Sequence, residues 1–174
     1  MLNSNMNKIR KLGKSFYCAG RGFAFCLRHE RNLRIHLVAA AYVFAFSFFY
    51  NFSRSEYILL TLTCTGVIAA ELFNTAIEVV IDKVSPKFNI FAMIGKDIAA
   101  GAVLVTAVGA VATGVFLFWD TAVFGDIFRF FTSHWLPPLI LIASVGFSIL
   151  FIFRTKKRSG NTSEKPDEKE RNKE

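Results

Sequence analysis

Four residues in "AAELFNTAIEVVIDKV", residues 69–84, could do chemistry: Glu71, Asn74, Glu78 and Asp82. They stand at the end of a long apolar run, where a buried or membrane-spanning helix is expected. An α-helix turns about 100° per residue, so with Glu71 at zero the others fall at about −60°, −20° and +20°. All four share one narrow stripe. Each acidic residue near a membrane centre costs ~2.5–3.5 kcal/mol on insertion scales, less towards the interface. The stripe must therefore face protein, water, an ion or a substrate. Glu71 lies ~10 Å along the axis from Glu78 and deeper in the membrane. The inner end of the next apolar run adds Lys96 and Asp97, and the approach to the first run adds Glu30. Carboxylates, one lysine and an amide at a common depth suit a site for a divalent cation and a phosphate. A proton or cation pathway in a transporter or a non-enzymatic membrane subunit would use buried carboxylates equally well.

The elements that must carry these groups follow from composition. Of 174 residues, 53% are hydrophobic and 20 are Phe, more apolar surface than a small soluble domain can hide. Mean hydropathy is +0.39. Four apolar segments stand out, at about 33–50, 57–80, 98–119 and 135–153, against an expected span of ~17–25 residues. Eight Lys and Arg precede residue 37, three lie in 81–97 and eight lie from 154 onward, against only Arg54 and Arg129 in the two remaining connections. The positive-inside rule then places both termini and the 81–97 loop in the cytoplasm, as four spans require. Anionic inner-leaflet lipid accounts for the net charge of +8 without a nucleic-acid partner.

Ile9, Leu12, Phe16, Ala19, Phe23 and Leu27 recur at helical spacing, with the basic residues largely on other faces. This predicts an amphipathic helix in the inner interface, weakened by Gly13, Gly20 and Gly22. "YNFSRS" reads as an outer turn, "SPKFNIFAMIG" (85–95) as the inner loop, and 120–134 as an outer loop with a short interfacial helix at "FGDIFRFF". Trp119 and Trp135 mark the outer interface. Gly101, Gly109 and Gly114 offer small surfaces for close helix contact. No cleavable signal peptide is apparent. Cys18, Cys26 and Cys64 lack metal or redox spacing. No phosphate-loop motif occurs; "AGRG" at 19–22 is too weak to count as one.

The expected class is an all-α membrane protein. Residues 1–32 form a surface helix, 33–119 a three-span core, 120–153 an outer loop and fourth transmembrane helix, and 154–174 a disordered charged tail.

"AELFNTAIEVVIDKVSP…GKDIAAGAVL", residues 70–104, together with "HERNLRIH", 29–36, resembles the prokaryotic integral-membrane diacylglycerol kinase and undecaprenol kinase family. The resemblance covers about residues 10–119. It implies a homotrimer in the bacterial inner membrane, with sites between subunits. It further implies Mg2+ and ATP, and a lipid alcohol phosphorylated at the cytoplasmic interface. Matched by position, Glu71 looks like the general base on the lipid hydroxyl, and Glu30 and Glu78 like the metal ligands. Asn74, Lys96 and Asp97 look like polar partners of phosphate and of the other site groups, and Lys14 like the basic residue of the surface helix. "ERNLRIH" is closer to the undecaprenol kinase branch, which favours a polyprenol over diacylglycerol. The fourth span and tail depart from the compact family form. Residues 120–174 hold no carboxylate, His and Arg constellation of the kind a phosphatase domain would need.

Overall fold

The computed structural model describes residues 2–154, with side chains from Arg10 onward. Six helices follow one another: α1 (Leu2–His29), α2 (Arg31–Ser47), α3 (Arg54–Val84), α4 (Ile90–Phe118), α5 (Thr121–Ser133) and α6 (Leu136–Phe153). With no strand among the described residues, the chain is an all-α membrane protein. The expected charged tail, and the basic residues after Arg154 that should anchor α6, lie outside the described residues.

α1 runs unbroken through Gly13, Gly20 and Gly22, so the amphipathic pattern outweighs the glycine cost of about 1 kcal/mol each. Glu30 alone separates α1 from α2. Its backbone is extended, φ −103° and ψ 118°, and its N–H donates to the Cys26 carbonyl at 2.7 Å. A capping box starts α3. Ser53 N–H donates to Glu56 Oε2 at 2.6 Å and Glu56 N–H to Ser53 Oγ at 3.3 Å.

The inner loop is shorter than the sequence suggests, because α4 begins at Ile90 rather than near Lys96. The reason is Asn89, whose Oδ1 accepts from the N–H groups of Phe91 and Ala92 at 2.9 and 3.4 Å. α3 and α4 then form a hairpin with the most extensive contact of any helix pair among the described residues. Gly95 permits the approach: a Cβ there would lie 3.2 Å from Ile81 Cδ1.

The expected outer loop is almost wholly helical. Asp120 Oδ1 caps α5 by accepting from Ala122 and Val123 N–H. Pro137 then falls in the first turn of α6, where a missing N–H costs nothing. Tyr42 Oη bonds Ser144 and Ser148 Oγ at 3.0 and 3.2 Å, fastening α6 to α2. Tyr50 Oη donates to the Phe118 carbonyl at 3.0 Å, and its ring meets Phe52 and Phe118, closing the far end of the core.

Three helices are long and apolar enough to cross a membrane: α3, α4 and α6. The first expected span, α2, has 17 residues. At 1.5 Å per residue it measures about 25 Å, short of a hydrocarbon core of about 30 Å. Its first two turns also carry Arg31, Arg34 and His36.

Candidate active site

The stripe on α3 is buried where it meets α1 and α2. Glu71 is 1% exposed, and Asn74 and Thr75 are buried beside it. Thr75 Oγ1 donates to the Glu71 carbonyl at 3.1 Å, and Asn74 Nδ2 donates to Glu78 Oε1 at 3.1 Å. These bonds fix the stripe along its own helix. Two acceptors are left over. Glu71 Oε2 and Asn74 Oδ1 are buried without a donor among the described residues. Such atoms cost about 1–3 kcal/mol each, so a site that keeps them has a use for them.

The break at Glu30 completes the cluster. Glu30 and Glu78 both act electrostatically on Glu71, and Glu30 and Glu71 both act on Cys26. Cys26 also bonds the Thr75 side chain. Burial, and next the Glu30 charge, push the Cys26 thiol above its ordinary pKa, so it stays protonated at neutral pH. The extended backbone at Glu30 thus brings a carboxylate from the α1–α2 junction to the α3 stripe.

Other expected residues lie apart. Lys96 pairs with Asp82 across the α3–α4 hairpin, one turn beyond Glu78 towards the loop. Asp97 is exposed on α4 and Lys14 is exposed on α1. None of these three reaches the Glu30–Glu71–Glu78 cluster within one chain. Thr75 and Arg34 are buried polar residues and Cys26 is buried against Thr75; none of them is expected as a site residue from the sequence. Thr75 had a signal, since it falls about 40° from Glu71 on the same stripe. Cys26 had none, because its place depends on how α1 docks.

A groove of 940 Å³ runs between α1 and α3, lined by Phe23, Cys26, Leu72, Thr75, Val79 and Val80 among others. Its walls are almost entirely apolar, and Leu72 and Thr75 of its lining stand within one turn of Glu71 on α3. An acyl or prenyl chain fits such walls better than a nucleotide would.

Among the described residues no group of three or more His, Cys, Asp or Glu side chains is placed to hold a metal ion together. A small hard cation that keeps several waters needs only one or two carboxylates, with substrate phosphates completing the shell. Glu30 and Glu78, beside the unpartnered oxygens of Glu71 and Asn74, fit that requirement.

Fold and site define an all-α membrane protein with a buried carboxylate centre beside an apolar groove. The family model for prokaryotic diacylglycerol kinase matches residues 17–118, and the chain belongs to that family of membrane lipid kinases. The chain is 38% identical over 112 residues to the undecaprenol kinase of Bacillus subtilis, covering 64% of this chain and 91% of that protein. It is 37% identical over 101 residues to the diacylglycerol kinase of Synechocystis sp., covering 58% of each. No solved structure matches. The family match ends at the last residue of α4, so α5 and α6 lie beyond it.

Proposed function

We propose that the protein transfers the γ-phosphoryl group of Mg-ATP to a lipid alcohol at the cytoplasmic membrane interface, with undecaprenol favoured over diacylglycerol. The carrying observation is the burial of Glu71 with one carboxylate oxygen unpartnered, within a helical turn of Leu72 and Thr75, which line an apolar groove. Glu71 is the general base: that oxygen takes the proton from the lipid hydroxyl as the hydroxyl attacks phosphorus. Asn74 holds Glu78 in place through its amide and offers its free carbonyl to the reacting groups. Glu30 and Glu78 hold Mg2+, which neutralises phosphate charge when bound. Lys96 spends one of its three donors on Asp82 and keeps two for phosphate. Asp97 and Lys14 supply polar contacts from the exposed rim of α4 and α1. The likeness to the Bacillus subtilis undecaprenol kinase supports the polyprenol acceptor.

The assembly is a homotrimer in the inner membrane, with each site completed by a neighbouring copy. Two observations support this. Lys96, Asp97 and Lys14 stand away from the carboxylate cluster of their own chain. A Cβ placed at Gly101 or Gly109 of α4, about 80° apart around the helix, would meet nothing within 4 Å, leaving room for another helix to approach closely. Four crossings, α2 included, put both termini in the cytoplasm. Residues 1–32 lie on that face, 33–119 make the core, and 120–153 return the chain across the membrane to the tail 154–174. The test of topology is an impermeant thiol reagent on intact cells. Cysteines placed at Ser55 or Thr132 should be labelled and one at Ser163 should not; the opposite pattern reverses the orientation.

Activity is tested by incubating purified protein with Mg-ATP labelled in the γ-phosphate, offering undecaprenol and diacylglycerol in parallel. The expected result is ATP-dependent label in lipid, faster with undecaprenol. Label in neither lipid defeats the reading, and faster transfer to diacylglycerol defeats the substrate assignment.

A further inference from the structure

Arg34 is 3% exposed, yet it is an arginine in the first turns of α2. Its guanidinium stays charged at any physiological pH. Nη1 donates to the Arg154 carbonyl at the end of α6, at 2.8 Å. Nε and Nη2 are buried without a partner among the described residues. These two atoms form the side-on edge of the guanidinium, whose parallel N–H groups match two oxygens of a phosphate or carboxylate. The edge left unused is therefore the one built to grip an oxyanion.

Its neighbours strengthen the case. Arg31, one turn earlier on α2, places its guanidinium over the Phe153 ring at 5.8 Å from the centroid. Arg154 follows Phe153 directly. Three arginines thus gather where the start of α2 meets the end of α6. None of them has a carboxylate at ion-pair distance among the described residues. A charge buried at a membrane boundary without a counterion is costly, and the anion abundant there is lipid phosphate.

We propose that Arg34, with Arg31 and Arg154, forms an oxyanion site that takes the phosphate of an anionic phospholipid. Arg34 supplies the paired donors, and the exposed Arg31 and Arg154 supply the charged rim. The nucleotide is the weaker match, because the corner is closed by α6, which packs on α2 and α5, whereas the carboxylate cluster lies between α1 and α3. Lipid and free phosphate share the same recognition chemistry, so the experiment separates them. This site stands whether or not Glu71 is the catalytic base.

The delipidated full-length protein in neutral detergent is titrated with phosphatidylglycerol and followed by native mass spectrometry. The expected result is one tightly held lipid per chain. Arg34→Gln weakens that lipid by roughly 10–100-fold, the worth of a charge-assisted bond. Arg34→Lys, which keeps the charge and loses the fork, falls between. The Mg-ATP KM of both variants stays at the wild-type value. Competition by millimolar inorganic phosphate identifies the phosphate alone as the ligand, and its absence identifies the whole lipid; either outcome supports the site. Wild-type lipid retention in Arg34→Gln overturns the proposal, as does a loss confined to Mg-ATP affinity. Should Arg34→Gln fail to fold, the double variant Arg31→Gln/Arg154→Gln alters only exposed side chains. It carries the same expectation of weakened lipid binding, and unchanged retention there overturns the proposal equally.

Discussion

α3 and α6 are both apolar helices long enough to span a bilayer, yet they treat their polar groups in opposite ways. α6 buries no residue, and its Ser144 and Ser148 are both bonded to Tyr42 of α2. α3 buries Glu71, Asn74 and Thr75 and leaves two of their acceptors without donors. A helix that faces lipid has no need of burial, because lipid is as apolar as its side chains. Polar groups do need protein or water around them, and satisfied ones serve packing. The unsatisfied ones on α3 stay open to a donor or a cation. Two apolar helices of one molecule thus differ in whether their polar atoms are paired.

The strongest test of that contrast is Glu71→Gln. It keeps shape and some hydrogen bonding but cannot accept a proton. A loss in kcat of about 10²–10⁴-fold is expected, the usual range for a general base, with Mg-ATP affinity little changed. Loss of nucleotide binding in this variant would exchange the roles along the helix.

Next come Glu78→Gln and Glu30→Gln. Each removes a hard anionic oxygen and should weaken Mg-ATP binding as well as turnover, by about tenfold or more. Titration of Mg-ATP against each purified variant decides this. Unchanged Mg-ATP affinity in both would remove these residues from the metal site.

Ending the chain after Trp119 tests the other half of the comparison. Phosphoryl transfer should stay measurable in detergent. Thermal stability should fall, because the bonds of Tyr42 to α6 and of Arg34 to the Arg154 carbonyl are lost, each worth about 0.5–1.5 kcal/mol. Complete loss of activity in a folded assembly would place α6 in the site.

The smallest effect concerns Cys26. The thiolate is the reactive form, and the Cys26 thiol is pushed up by burial and by Glu30. Alkylation should therefore be slower at Cys26 than at the exposed Cys18, with the gap closing only as pH rises well above 9. Glu30→Gln removes the like charge and should speed Cys26 alkylation. An unchanged Cys26 rate in Glu30→Gln would separate Glu30 from the cluster.

Much of this was legible in the chain. Helical periodicity gave the stripe of Glu71, Asn74, Glu78 and Asp82, because a 100° turn is a local property of the backbone. Apolar runs and capping residues gave the helices, and short motifs within 29–104 gave the family. The Asn89 cap is also written in the chain, and it starts α4 about eight residues before its apolar run. The docking of α1 and α6 was not legible, since it depends on contacts between residues far apart in sequence. Arg34 meets the Arg154 carbonyl across 120 residues, and no local pattern encodes that meeting. The pairing of Lys96 with Asp82 depends on the α3–α4 hairpin. The convergence of Glu30 with Glu71 depends on one extended residue at the α1–α2 junction. The sequence by itself determined which groups could be charged and which helix face carries them. Only the tertiary structure decided which of those groups are sealed from water and which keep an unpaired bond, because burial is set by neighbours that the chain brings back from a distance.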